Sequence, residues 1–326
     1  MKKSKVLSLL LVCIMMTSVV LVGCGGSSTG TNNKVERLSI ATGGTSGVYY
    51  PLGGAFANIL NDKVSGVTAT AESTGASLEN VNLLNNGDVD FALIQNDISH
   101  YAFNGIEMFS DKEAMKNIRA VASLYPETIQ IVANTSANIN TVEDLKGKKV
   151  AVGAPGSGVE VNARQILAAH GLSYDDLQPD FLSFGEAADG IKDGRIDAAF
   201  LTAGTPTAAV TDLSTTHSVN LVPITTEKAQ GLINQFPFYF ETVIPAGTYR
   251  NQDEEISTLA VMAMLTVNAN LSDDLVYNAT KAFFENLDTL AAAHKRGEDI
   301  SLEGAKYGIS LEIHPGAQRY YDEVKQ

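Results

Sequence analysis

The chain is poor in cysteine, with only Cys13 and Cys24 in 326 residues. Everything after Cys24 therefore lacks thiol chemistry, disulfides and Cys-ligated metal. Cations are scarce too: 23 Lys and Arg stand against 37 Asp and Glu, a net charge of -14. Lys2, Lys3 and Lys5 precede residue 24, where there is no acid, so the remainder stands near -17. A surface of that sign lacks the clustered cations that nucleic-acid binding needs. It does not forbid an anionic ligand, because exposed charge is screened within roughly 8 Å. The five histidines, His100, His170, His217, His294 and His314, are scattered, and no pair has metal-ligand spacing. No lysine follows a Gly-rich turn as a Walker A loop requires, and neither Ser46 in GGTSGV nor Ser157 in PGSGV fits the G-x-S-x-G nucleophile elbow.

What is present begins with a basic start and an apolar run, Val6 to Val22. The run ends in Leu21-Val22-Gly23-Cys24, small residues that mark a cleavable signal rather than a spanning helix. LVGC resembles the bacterial lipobox, which implies that Cys24 becomes the first mature residue and carries lipid. Gly25 to Asn33 reads as a flexible polar tether. About 300 residues follow the signal, enough for two domains with a sizeable core.

Leu38 to Thr42 reads as a strand, followed by a turn carrying Gly43, Gly44, Thr45, Ser46 and Gly47. Pro51 to Lys63 has Leu52, Phe56, Ile59 and Leu60 at helical spacing. Val67 to Glu72 alternates as a strand, Ser73 to Ser77 is a second small-residue turn, and Leu78 to Asn86 a helix before the strand Phe91 to Gln95. This alternation predicts a parallel sheet with helices outside and ligands at the carboxyl ends of its strands. Val121 to Asn134 reads as an extended run broken by Pro126. Thr141 caps a short helix, Lys149 to Val152 is a strand, and Gly153 to Gly158 a further Gly-rich turn. Helices follow over Val161 to His170 and Phe184 to Lys192, with a strand over Ile196 to Thr202. Gly87-Asp88-Val89-Asp90-Phe91-Ala92 is echoed by Gly194-Arg195-Ile196-Asp197-Ala198-Ala199, 107 positions on, which suggests two similar lobes. An aromatic patch spans Phe236 to Phe240, an apolar run Ile256 to Asn268 and a single helix Ser272 to His294, with several helical segments closing the chain.

The Gly-rich turns can cradle an anion, because helix starts leave backbone N–H groups unpaired. Thr45, Ser46, Ser73, Thr74, Ser77 and Ser157 add hydroxyls at strand ends, although each alone is an ordinary helix cap. Tyr49 and Tyr50 can cover apolar carbons and still hydrogen-bond, or belong to the core. A dinucleotide site is the competing reading of the first loop, but GGTSG lacks the G-x-G-x-x-G spacing.

Four segments together resemble the TAXI family, the solute-binding receptors of tripartite (TRAP) transporters: Ala41 to Gly54, Ser73 to Leu84, Phe91 to Asp97 and Gly153 to Leu167. The resemblance implies an α/β fold of the type II periplasmic-binding-protein kind, with a ligand cleft between two lobes and a hinge of crossing strands. Its implied divisions are 1–23 signal, 24–36 tether, 37–127 first part of lobe I, 128–254 lobe II, and 255–326 the return to lobe I with C-terminal helices. The ligand-facing positions it implies are Thr45, Ser46, Tyr49 and Tyr50; Ser73, Gly75, Ala76 and Ser77; Gln95; Ser157, Gly158 and Val159; and Gly204 and Thr205. Ser46 stands where the family often has Gly, and Val159 where it has a hydroxyl residue. Arg164 lies about two turns into its helix and reads as structural rather than as a carboxylate partner. No cofactor, metal or catalytic residue is implied. The implied ligand is a small carboxylate or amino acid such as glutamate, glutamine or 2-oxoglutarate. The implied partners are TRAP permease subunits and a membrane surface reached through the lipid on Cys24. The competing classes are an α/β enzyme with a nucleotide-like loop and a surface or sensory lipoprotein with no transport role.

Overall fold

The computed structural model describes residues 35–325. The signal, the Cys24 lipidation site and all but the end of the tether lie outside the described residues. The first β-α-β-α-β passage folds as its apolar spacing dictates. Strand β1 (Glu36–Ala41) is followed by helix α1 (Tyr49–Lys63), β2 (Val67–Glu72), α2 (Ser77–Asn86) and β3 (Phe91–Gln95). Leu52, Phe56, Ile59 and Leu60 are the buried stripe of α1. Phe56 meets Phe91 edge-on at a centroid distance of 5.3 Å.

After helix α3 (Asn96–Asn104) comes β4 (Ile118–Asn134), and then a second such passage: β5 (Lys149–Ala151), α4 (Gly158–Ala169), β6 (Gln178–Asp180), α5 (Phe184–Lys192) and β7 (Ala198–Ala203). Helix α6 (Ala208–Thr216), β8 (Val219–Leu221), α7 (Thr226–Gln235), β9 (Phe240–Ile244) and β10 (Ile256–Asn268) lead to α8 (Asp273–Phe284), α9 (Leu287–Ala293) and α10 (Pro315–Val324).

The strands lie in the order β2-β1-β3-β10-β4-β7-β5-β6. That order reads alike from both ends: three parallel strands and one antiparallel strand, then the mirror set. The repeated Gly-x-x-Asp motif explains the symmetry. Gly87 and Gly194 end helices or turns at φ 79° and 68°, a region open to glycine at little cost. The Asp90 carboxylate then accepts the Ser39 N–H at 2.8 Å, and Asp197 accepts the Lys149 N–H at 2.8 Å. Each locks a central strand to its neighbour.

Among the described residues only β4 and β10 run through both halves. They pair from Asn268↔Ile118 to Ala260↔Thr128 and then part, β4 taking β8 and β10 taking β9 as partners. Four expectations are corrected here. Pro126 does not break the run at Val121 to Asn134: β4 is one 17-residue strand. The proline falls beside a register shift between Met262 and Met264, where an absent N–H costs the ladder little. The helix expected from Val161 begins at Gly158, with Ser157 Oγ accepting the Glu160 N–H. Ser272 to His294 forms two helices, because the Asn286 side chain turns back to donate to Ala282 O at 2.8 Å and competes with the helical ladder. The chain closes with a short 3-10 turn at Lys295–Asp299 and the single α-helix α10, not several helices.

Candidate functional site

The Gly-rich loop after β1, the turn after β2 and the end of β3 meet the loop after β5 and the start of α5 around one cavity. About 80 Å³ is available inside it, roughly half of a ~150 Å³ cavity that accepts benzene. From the first half come Gly43, Gly44, Gly47, Val48, Tyr49, Thr74, Gly75, Ala76, Ser77 and Gln95; from the second come Ala154, Ser157, Gly158, Val159, Ser183 and Phe184. Glu127, Thr202 and Ala203 supply the floor from β4 and β7.

Of the positions expected to face a ligand, Tyr49, Gly75, Ala76, Ser77, Gln95, Ser157, Gly158 and Val159 line this space. Thr45 is exposed, and Tyr50 points to solvent at 39% exposure. Ser46 spans the two halves: its carbonyl accepts from Ala209 N–H at 3.4 Å, and its side chain lies against Gly185. Ser73 is spent on Gly43 O at 3.0 Å. Gly204 packs against Arg296 and Tyr125, and Thr205 is buried outside the lining. Arg164 pairs with Glu160 at 3.2 Å on the helix exterior.

Most of the hydroxyls are engaged by the protein itself. Thr74 Oγ1 donates to Asn80 Oδ1 at 2.7 Å, Ser157 Oγ to Ala154 O at 2.7 Å, and Ser77 Oγ accepts the Gln95 N–H at 3.2 Å. What remains for a ligand is chiefly backbone. Helix α1 has no side-chain cap, and the starts of α1 and α4 converge on the cavity, where helix N–H groups and dipoles favour negative charge.

The halves touch through main chain. Gly156 O accepts N–H groups from Leu78 at 2.9 Å and Glu79 at 3.1 Å, so the second half caps helix α2 of the first. Behind the cavity a buried polar group ties them again. Asn162 Nδ2 donates to Asp97 Oδ2 at 3.1 Å and lies 2.9 Å from the Tyr239 hydroxyl, which donates to Gln165 at 2.6 Å; Gln95 Nε2 donates to Asn162 Oδ1 at 3.3 Å. Burial raises Asp97 to about 6, opposed by its hydrogen bonds.

The residue that sequence reading missed is Glu127. It is 3% exposed, lines the cavity, and accepts a 2.8 Å hydrogen bond from Tyr49. Burial raises its carboxyl to about 8; the Tyr49 bond opposes the rise and the nearby Asp97 charge adds to it. No Lys, Arg or His is among the lining residues. The signal was available: Glu127 is the one charged residue between Val121 and Asn134, and a charge in a buried strand needs a partner or a purpose. Phe184 was missed as well; its ring packs on Gly47 and closes one wall. Among the described residues no group of three His, Cys, Asp or Glu side chains could hold a metal ion.

Solved structures share the architecture. A protein from Bordetella bronchiseptica is 16% identical, covering 90% of this chain and 99% of its own, with a TM-score of 0.55. PhnD1 from Prochlorococcus marinus, in complex with methylphosphonate, is 13% identical, covering 90% of this chain and 97% of its own, with a TM-score of 0.54. A putative L-cystine ABC transporter protein from Listeria monocytogenes is 16% identical, covering 82% and 98%, with a TM-score of 0.50. The fold is thus the mixed α/β, two-lobed fold of periplasmic binding proteins. Residues 40–324 match the model of the NMT1-like family, and the chain belongs to that family.

Proposed function

We propose that the protein is an extracytoplasmic solute receptor of a transporter, anchored through lipid on Cys24, that captures a small carboxylate or amino acid by lobe closure. The observation that carries this reading is the cavity itself. It lies between two half-sheets joined by only two through-going strands, with helix starts from both halves pointing at it. Two strands act as a hinge. The open form exposes the loops after β1 and β2, the solute docks, and the start of α4 completes the enclosure. The neighbours named for methylphosphonate and L-cystine handle small polar solutes on the same fold. Glutamate, glutamine and 2-oxoglutarate are the first ligands to test, and each needs the lobes slightly further apart than here. Calorimetry on purified protein, unfolded and refolded to strip bound solute, is the test. Failure of all three and of C4 dicarboxylates to bind would sink the small-carboxylate reading.

The motif resemblance favours a TRAP-type permease as the membrane partner; the ABC name of the Listeria neighbour favours the alternative. Uptake into cells or vesicles separates them. A TRAP partner loses transport when the ion gradient is collapsed, whereas an ABC partner loses it when ATP is removed.

A further inference from the structure

We propose that Thr202, on the floor of the cleft, determines specificity: with Glu127 it receives a neutral carboxamide end of the solute and turns away a second carboxylate. This rests on the receptor reading and narrows it, because a dicarboxylate and its half-amide are both small carboxylates. Three observations converge. Thr202 is 4% exposed and lines the cavity, and its hydroxyl has no hydrogen-bond partner among the described residues. The hydroxyls of Thr74, Ser77, Ser157 and Ser183 in the same lining are all engaged by neighbouring protein groups. A buried polar group without a partner is costly, so Thr202 carries the hydroxyl that the lining leaves for a solute.

The pairing of β4 with β7 places that hydroxyl. Ile129 lies opposite Thr202, so Thr202 and Glu127 share one face of the sheet as diagonal neighbours. Ile129 and Phe200 of that face pack in one core cluster with Val159, Ala163 and Ile166 of α4. The hydroxyl and the carboxyl therefore stand side by side under the start of α4, their Cβ atoms on the order of 7 Å apart. One planar amide with a hydrogen bond at each end spans such a gap.

Charge decides what the span accepts. Among the described residues Glu127 receives neutral donors alone, the Tyr49 hydroxyl at 2.8 Å and the Gln95 amide. No Lys, Arg or His lines the cavity. Arg164 pairs with Glu160 on the helix exterior, and Arg296 lies against Gly204 and Tyr125 and pairs with Asp299 at 2.7 Å. A second carboxylate on this floor meets an ionised Glu127 with no cation to offset either charge. A protonated Glu127 supplies it a single O–H where two carboxylate oxygens need donors. A carboxamide is served in either state. Its amino group donates to a Glu127 oxygen, and its carbonyl accepts from Thr202 Oγ1. The solute's one carboxylate then lies toward the starts of α1 and α4, with its carbon chain against Val48, Val159 and Phe184.

Calorimetry on the purified, ligand-stripped protein tests this with isosteric pairs: succinamate with succinate, L-asparagine with L-aspartate, and L-glutamine with L-glutamate. Within a pair only the far end differs, an amino group against a charged oxygen. In every pair that binds, the carboxamide is expected to bind at least about tenfold more tightly. Thr202→Val keeps the shape and the strand preference and removes the hydroxyl. It is expected to weaken the carboxamide about tenfold more than the carboxylate, with the ligand-free Tm nearly unchanged because no protein group loses a partner. Glu127→Gln is expected to narrow the preference by tightening the carboxylate member. The comparison within pairs on the unmutated protein does not depend on either variant folding. A preference below about tenfold or reversed, a Thr202→Val protein that binds the carboxamide as tightly as before, or a Glu127→Gln protein with the full preference overturns the inference and leaves the receptor reading intact. If no member of any pair binds, the small-carboxylate reading falls with it.

Discussion

Gly158 offers a way to separate closure from folding. A Cβ there would lie 1.8 Å from Gln95 Oε1, 2.6 Å from Gln95 Cδ and 3.1 Å from Ile98 Cγ1, all in the other half of the molecule. Ordinary contact needs about 3.5 Å, so Gly158→Ala holds the halves apart locally by about 1.5 Å. The Gln95 side chain cannot simply rotate away, because it is buried and tied to Asn162. The same gap stretches the 2.9 and 3.1 Å bonds from Leu78 and Glu79 to Gly156 O beyond hydrogen-bond length. Two net hydrogen bonds are worth about 2 kcal/mol, which predicts solute binding about 30-fold weaker. Stability of the ligand-free protein should hardly change. Gly158 has no positive φ, and alanine is the better residue in a helix. Titration calorimetry with the tightest-binding solute gives the affinity, and small-angle scattering reports whether the solute still compacts the protein. Gly54→Ala is the control, since a Cβ there meets nothing within 4 Å. Unchanged affinity would refute the reasoning. So would a ligand-free Tm lowered as much as binding, because the clash would then belong to the fold and not to closure.

Two further outcomes follow from the same geometry. Asp97 and Glu127 have folded pKa values of about 6 and about 8, above the ordinary 3.8 and 4.5. The folded state therefore binds more protons than the unfolded one between these limits, and ligand-free stability falls as pH rises from about 4 to about 8. At about 1.4 kcal/mol per pKa unit the fall is on the order of 8 kcal/mol for two independent groups, and thermal melts across that range should flatten in Glu127→Gln with Asp97→Asn. A Tm rising over that range would contradict the assignment. Asp90→Ala and Asp197→Ala remove equivalent anchors of β1 and β5, so each should cost a similar amount, about 1–2 kcal/mol in chemical denaturation. A large loss at one site and none at the other would show that the two halves do not use the motif alike.

Much of this was legible because it is local. The apolar spacing of Leu52, Phe56, Ile59 and Leu60 and the Gly-x-x-Asp echo at Gly87 and Gly194 act within one helix or one strand pair. The cleft residues that could be named before the structure sit on Gly-rich turns for the same reason. What could not be read was decided at a distance. Ser73 and Thr74 carry the hydroxyls of a binding loop, yet neighbouring backbone and Asn80 claim them. Glu127 lies in a strand whose crossing course alone brings it under Tyr49, 78 positions earlier. Pro126 looked like a break because the register shift that tolerates it belongs to β10 pairing and not to its own segment.

The contact across the cleft mouth at Gly156 is made by a main-chain carbonyl, on a residue whose φ of 81° suits glycine. No side-chain replacement can delete that acceptor, whereas replacing Gln95, Glu127, Val159 or Phe184 alters the cavity lining. The motor part of the molecule and its taste are thus written in different atoms. A substitution in the walls can change which solute fits, while the carbonyl that closes the cleft survives it.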